Sequence, residues 1–363
     1  MEQPHLIFRV HADTRLGFGH VSRAVALAPL WTALGGNATI AISGDDRAEG
    51  IVFGSSPFSG DPLPCPAIYI GNSIDSPLPE DIKSGGTIAL LDLWSATQSQ
   101  VEALRPLKVA LMEDDGDAQE CADLLFQPYL DGLKWGKSPI RTENGIKLRP
   151  FEEQRGKCRV LKGSEYIVLS AKATHLRPRR DSTQPLNIKK LLVTFGGTDG
   201  PGLASLAFKV LNNALNNDDW GGNCTLLSPR DMSDIDINGN PRISVLAGIN
   251  NLTAHLQEYD AIWCAGGITL AECLYFGIPV AAWAQNDRQQ GMISDIAMEG
   301  ACINLGIGVE ADLSVVQSAL SDWLGPLGQE TRQEQSANGM TLIDGSGANR
   351  VIQELWTLAH RDH

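Results

Sequence analysis

At 363 residues, with 43% hydrophobic and 20% charged side chains, the chain has the length for two or three domains and the balance of a globular protein. Its 43 Asp and Glu against 29 Lys and Arg argue against nucleic acid or an anionic membrane as a partner, while leaving room for a small anion pocket. The seven cysteines are odd in number, scattered and free of C-x-x-C spacing, which predicts reduced core thiols in a cytoplasmic protein and no disulfide framework or zinc site.

The N-terminus runs into strand-like Leu6-Ile-Phe-Arg-Val10 without the basic and apolar blocks of a signal peptide, and no apolar run nears the roughly 18 residues of a transmembrane segment. Short apolar runs then alternate with helix-like segments and glycine turns to the end, the pattern of an α/β protein with parallel sheets. In the first half the predicted strands are 6–10, 38–43, 67–71, 87–92, 108–113, 122–126 and 166–169. The first leads to Gly17-Phe-Gly-His20 and a helix with apolar residues at Val21, Val25, Leu27, Ala28, Leu30, Trp31 and Leu34, closed by Gly35-Gly36. Between 171 and 188 the chain turns polar, basic and proline-interrupted, as a linker does. Strand-like Leu191-Leu-Val-Thr-Phe195 restarts the pattern, followed by Gly196-Gly-Thr-Asp199 and a helix over 202–215. Further strands are predicted at 224–228, 243–247, 261–264, 279–283 and 302–305, and helices at 251–258, 269–276, 289–298, 312–324 and 343–359. The Asp- and Asn-rich stretch 229–241 reads as a surface loop. The expected division is a Rossmann-like domain over 1–170, a linker over 171–188, a second Rossmann-like domain over 189–342, and a C-terminal helix over 343–363 able to pack back on the first. Ligands of such sheets bind at the carboxyl ends of the strands, so two facing domains are expected to share a cleft.

Three glycine turns carry the chemistry. In Ala261-Ile-Trp-Cys-Ala-Gly-Gly-Ile-Thr-Leu-Ala-Glu272 an apolar strand meets a two-glycine turn and a helix start, where bare backbone and helix N–H groups suit a diphosphate and Glu272 suits ribose hydroxyls. The plainer reading of Thr269-x-x-Glu272 is a capping box. At Gly17-Phe-Gly-His20 a histidine stands where a helix begins, a place that disfavours imidazolium and leaves a neutral ring fit to accept a proton. There the alternative is tight packing by Gly17 and Gly19, with His20 a cap. Arg23, one turn on, suits a phosphate or a carboxylate, although exposure is its default. Gly196, Gly197 and Thr198 make a second phosphate-type turn, with Asp199 as a possible helix cap. Asp287-Arg-Gln-Gln290 could meet sugar hydroxyls, or Asp287 could cap a helix. Asp114-Asp115 could hold a cation, although paired surface acids are commoner. The remaining histidines lack metal-ligand spacing, and no P-loop lysine motif, G-x-S-x-G elbow or H-E-x-x-H is present.

Taken together, these segments resemble a known family. Phe8-Arg-Val-His-Ala-Asp-Thr-Arg-Leu-Gly-Phe-Gly-His-Val-Ser-Arg23 is similar to the opening of the UDP-sugar hydrolase of pseudaminic acid biosynthesis, R-x-D-x-S-x-x-I-G-x-G-H-x-x-R. Leu192-Val-Thr-Phe-Gly-Gly-Thr-Asp199 resembles that family's second-domain turn, and Gly163-x-x-Tyr166 its segment before the linker. Ala265-Gly-Gly-Ile-Thr-Leu-Ala-Glu272, with Gly277-Ile-Pro279 and Gln289, is similar to the wider GT-B nucleotide-sugar signature, which the peptidoglycan N-acetylglucosamine transferase also carries. The likeness spans about 8 to 305 in order. It implies a GT-B fold, a UDP-sugar substrate, and no metal or other cofactor. It makes His20 the base for water attacking the anomeric carbon, Glu272 the ribose ligand and 266–269 (Gly266, Gly267, Ile268, Thr269) the diphosphate site. Backbone near Ile249 would read the uracil, and Gln289 would face the sugar. Three positions depart from the pattern: His11 stands for an acidic residue, Arg288 for the Asn before Gln289, and Leu169-Ser170 for Leu-Arg. All three fall near the expected place of sugar and water. The leading expectation is therefore a nucleotide-sugar hydrolase releasing UDP from an amino or deoxy sugar in surface polysaccharide biosynthesis. A GT-B glycosyltransferase with a carbohydrate acceptor is the alternative, and a non-catalytic nucleotide-sugar binding protein the second.

Overall fold

The computed structural model describes residues 3–13, 16–53, 63–129, 140–142, 145–147, 151–176, 187–216, 220–230, 232 and 240–361. The chain falls into two compact units, Met1–Tyr129 with Arg149–Ala171 and Gly345–His363, and Leu130–Leu148 with Lys172–Asp344. In order the elements are β1 (His5–Ala12), α1 (Gly19–Ala33), β2 (Asn37–Gly44), α2 (Asp46–Val52), β3 (Ala67–Tyr69), α3 (Glu80–Ser84), β4 (Ile88–Asp92), α4 (Gln98–Ala103), β5 (Lys108–Met112) and β6 (Leu124–Gln127). A hairpin of β7 (Ile140–Thr142) and β8 (Gly145–Lys147) is followed by β9 (Phe151–Arg155), β10 (Cys158–Lys162) and α5 (Ala171–His175). Then come β11 (Lys190–Thr194), α6 (Leu203–Asn216), β12 (Asn223–Leu227), β13 (Ile243–Leu246), α7 (Leu252–His255), β14 (Ala261–Cys264), α8 (Ile268–Tyr275), β15 (Val280–Ala284), α9 (Asp287–Met298), β16 (Ile303–Ile307), α10 (Leu313–Leu324), α11 (Gln329–Leu342) and α12 (Gly347–His360).

The first sheet runs β3-β2-β1-β4-β5-β6-β10-β9, parallel except where β9 turns back on β10. Alternation along β1 sorts its side chains: Leu6, Phe8 and Val10 face the core shared with Leu27 and Trp31 of α1 and with Val351 and Leu355 of α12, while Ile7 faces the opposite core with Leu91 and Leu111. Each large apolar side chain buried this way contributes about 1.5–3 kcal/mol. The second sheet runs β13-β12-β11-β14-β15-β16, all parallel. In both orders the connections reverse direction beside the first strand, and that reversal opens a crevice at the carboxyl ends of β1 and β4, and of β11 and β14.

Several expectations need correction. Residues 166–169 form no strand: the chain makes a short 3-10 turn at Ser164–Tyr166 after Gly163 (φ +133), and Ile167, Val168 and Leu169 are buried without joining the ladder. The hairpin β9–β10 and helix α11 carry no clear apolar period, and sequence reading passes over both. The C-terminal helix α12 begins at Gly347 rather than at 343 and groups with the first unit. The linker stretch opens with α5, and its residues 177–186, like 231 and 233–239 of the expected surface loop, are outside the described residues. All seven cysteines are free, five of them buried.

Candidate functional site

In the first unit the site grows from the end of β1. Asp13 organises the turn: its carbonyl accepts from Gly17 N at 2.8 Å and its Oδ1 from Leu16 N at 2.6 Å. Gly17 takes φ +79, where a glycine avoids the Cβ penalty, and α1 begins at Gly19 with no side-chain cap on Phe18. His20 is therefore in the first turn of α1, only 3% exposed, with Nδ1 3.0 Å from the His11 carbonyl. A carbonyl only accepts, so Nδ1 carries hydrogen and the neutral ring keeps its lone pair on Nε2. That Nε2 lies 3.8 Å from Asp92 Oδ1, and the Trp94 ring stands edge-on, 6.1 Å away between centroids. His11 is buried, with Nδ1 2.8 Å from Ser43 Oγ and Nε2 3.3 Å from Asp13 Oδ2. It ties the end of β1 to the turn that carries His20.

Arg23 is buried rather than exposed, and of the two expected kinds of partner it meets carboxylates. Its guanidinium is buried and forks onto Asp92, Nε to Oδ2 and Nη2 to Oδ1 at 2.7 Å each, while Nη1 donates to Glu113 Oε2 at 2.9 Å. Burial works against its charge, but Asp92 and Glu113 more than offset this and hold its pKa above the ordinary value. Asp92 closes β4 beside Val10 of β1, and Glu113 follows β5, so adjacent strand ends supply both carboxylates. Trp94 (φ +75) and Glu113 (φ +51) hold left-handed conformations that such residues rarely adopt. Asp114 fixes this corner. Fully buried, it accepts from Ala96 N at 2.6 Å and Gly116 N at 2.8 Å, and so is neither a surface acid nor placed for a cation.

In the second unit, Gly196 takes φ +86, and no heavy atom lies within 4 Å of where its Cβ would be. Gly196 and Gly197 are exposed and Thr198 half-exposed, but Asp199 is buried and its carboxylate accepts from Leu203 N (2.7 Å) and Ala204 N (3.0 Å) at the start of α6. Burial pushes the Asp199 carboxyl up, partly countered by those N–H donors. Asp199 is thus a helix cap.

The helix after β14 differs. Gly267 (φ +136) holds the cap position of α8 without a side-chain cap, and the space beside it is open to 4 Å. Ile268 and Thr269 are half-exposed first-turn residues. Thr269 is the second residue of α8, so no capping box forms, and Glu272 stands in the second turn rather than the first. Glu272 is 3% exposed, and its Oε2 accepts from Thr253 Oγ1 at 3.0 Å. Gly266 serves packing, since a Cβ there would sit 3.0 Å from Gln289 Cβ. Gln289 is half-exposed, and its Oε1 accepts from Gln285 N at 2.9 Å. The cap of α9 is Asn286, not Asp287. Arg288 is half-exposed in the first turn of that helix, and Ile249 lies half-exposed in the loop after β13.

The expected residues thus fall into two groups, one in each unit: those of the first after β1, those of the second in the segments after β11, β13, β14 and β15. Sequence reading missed Asp92, Glu113, Trp94 and Thr253. A charged residue ending an apolar strand run was the one signal available, at Asp92 and Glu113. Among the described residues no cluster of His, Cys, Asp or Glu is placed to hold a metal ion, and no helix is long and apolar enough to cross a membrane.

No protein-family model matches the chain. It is similar to the spore coat polysaccharide biosynthesis protein SpsG of Bacillus subtilis, 25% identical over 270 residues that cover 64% of this chain and 77% of the relative. Among solved structures, MurG of Acinetobacter baumannii aligns with a TM-score of 0.60 at 14% identity, covering 98% of this chain and 100% of that one. The spinosyn forosaminyltransferase SpnP aligns at 0.59 and 12%, covering 99% and 100%. At these identities the structures speak for the fold alone, and that fold is GT-B, with two Rossmann-like domains.

Proposed function

We propose that the chain is an enzyme of glycan biosynthesis that acts on a UDP-sugar. The second unit holds the nucleotide, and His20 takes a proton from the group that attacks the anomeric carbon. The observation that carries this reading is the start of α8: an open glycine cap with no side-chain partner, and a buried carboxylate, Glu272, one turn behind it. Helix N–H groups there suit the two phosphates, and the carboxylate suits ribose hydroxyls.

In the favoured reading the attacking group is a carbohydrate hydroxyl. Its oxygen bonds to the anomeric carbon, its proton passes to His20 Nε2, and UDP leaves with the electron pair of the broken C–O bond. Asp92, 3.8 Å from Nε2, stabilises the imidazolium so formed. Transfer is favoured because the relative SpsG is named for polysaccharide biosynthesis. The half-exposed Trp94 beside His20 offers an aromatic face to a sugar ring. Hydrolysis is the second reading, supported by the order of residues from Arg9 through His20 to Arg23, with water in place of the hydroxyl.

The test is incubation of the protein with UDP-linked amino and deoxy sugars, with and without a glycan acceptor, following UDP. Release that requires acceptor supports transfer, and release in water alone shifts the assignment to hydrolysis. Binding without turnover makes the chain a nucleotide-sugar binding protein. Failure to bind any UDP-sugar overturns the proposal.

A further inference from the structure

The connection from β13 to β14 crosses β12 and β11 in the sheet order, and its helix α7 reaches the side chain of Glu272. Asn251 takes φ +53 at the start of α7 and contributes no side-chain cap. Two residues on, the half-buried Thr253 uses its hydroxyl to donate to Glu272 Oε2 rather than to cap its own helix. Threonine is stiff at χ1 and has a single hydrogen to donate, so this contact fixes the direction of that carboxylate oxygen. Glu272 is rooted in α8, while Thr253 is the second residue of α7, which follows loop 247–251 with Ile249 and an open Gly248.

Resting on the nucleotide reading above, we infer that Thr253 is a positioning residue that orients Glu272 for the ribose diol. It thereby couples the loop on the base side to the sugar clamp and makes the site selective for ribonucleotides. A buried carboxylate whose Oε2 is held by a fixed donor meets a diol without first reorienting, and that preorganisation is lost when the donor is removed. The phosphate contacts are untouched by the change. The effect therefore falls on nucleotides with ribose hydroxyls and spares those without.

The experiment measures the affinity of the full chain for UDP and for 2′,3′-dideoxyuridine diphosphate, in the wild type and in Thr253→Val, Thr253→Ser and Glu272→Gln. The wild type is expected to prefer UDP by about ten-fold or more, the scale of a hydrogen bond to a charged group. Thr253→Val should lose most of that preference by weakening UDP about five-fold while leaving the dideoxy ligand unchanged, which also shows that the variant is folded. Thr253→Ser, which keeps the hydroxyl, should retain the preference. A Thr253→Val protein that keeps the ratio, or weakens both ligands equally, overturns the inference while Glu272→Gln still collapses the ratio. If Glu272→Gln leaves the ratio intact, or the wild type binds no UDP, the nucleotide reading itself fails and the inference with it.

Discussion

Replacing Arg23 with methionine separates the structural role of its guanidinium from a ligand-binding one. The variant strands Asp92 and Glu113, whose side chains are 4% and 13% exposed, without the three hydrogen bonds of 2.7, 2.7 and 2.9 Å that neutralise them. Breaking a buried pair by removing one partner costs about 3–5 kcal/mol. That is a large part of a total stability of about 5–15 kcal/mol. With about 2–4 °C of melting shift per kcal/mol for a body of 150–250 residues, the first unit should lose about 6–20 °C. Scanning calorimetry of the ligand-free protein measures this directly. Because the Arg23 pKa is raised, its stabilising contribution is fully present below the ordinary arginine value and is lost only as pH rises through the still higher folded one. Adding Asp92→Asn should recover part of the loss by removing one stranded charge, a departure from additivity expected of contacting residues. A melting shift under about 2 °C in Arg23→Met, accompanied by lost nucleotide affinity, would refute this reasoning and return Arg23 to phosphate binding.

His20→Ala should lower turnover by about a hundred-fold or more while leaving UDP affinity intact, since the residues proposed to hold the nucleotide lie in the other unit. Turnover at the wild-type rate would remove the base assignment. A third expectation concerns Glu153 and the 2%-exposed Lys162, paired at 3.1 Å. Burial opposes the Glu153 charge, but hydrogen bonds from Lys162 and Arg155 outweigh it and hold the carboxyl below its ordinary range. The resulting stability is present above the unfolded value of about 4.3 and is lost as pH falls through the lower folded value. Glu153→Gln should therefore melt well below wild type near neutrality, with the gap narrowing in acid. A gap independent of pH would show that the Glu153 charge contributes nothing.

The architecture was largely legible in the sequence because parallel strands buried on both faces write themselves as short apolar runs. β1, β2, β4, β5, β11, β14 and β15 are all such runs. The glycine turns were legible for a related reason: Gly17, Gly196 and Gly267 hold positive φ, which few other residues tolerate. What escaped was whatever is buried without being apolar. Helix α11 turns Arg332, Gln335, Ser336 and Gly339 inward, with Arg332 on the carbonyls of Trp323 and Gly325, and so shows no apolar period. The β9–β10 hairpin is rich in charge because Lys162 is paired rather than exposed.

The same limit governs the site. Sequence alone determined where bare glycine backbone meets a helix start, since that follows from the absence of a Cβ and from the pattern of a helix beginning. It could not tell a carboxylate that caps its own helix from one that turns to another element. Asp199 and Glu272 follow similar glycine turns, yet Asp199 closes on the N–H groups of α6 while Glu272 turns toward Thr253, 19 residues before it in the chain. Nor could it pair Arg23 with Asp92 and Glu113, 69 and 90 residues away. Those partners are fixed by strand order, which puts the ends of β1, β4 and β5 side by side. Strand order is a property of the packed sheet and not of any local stretch of chain.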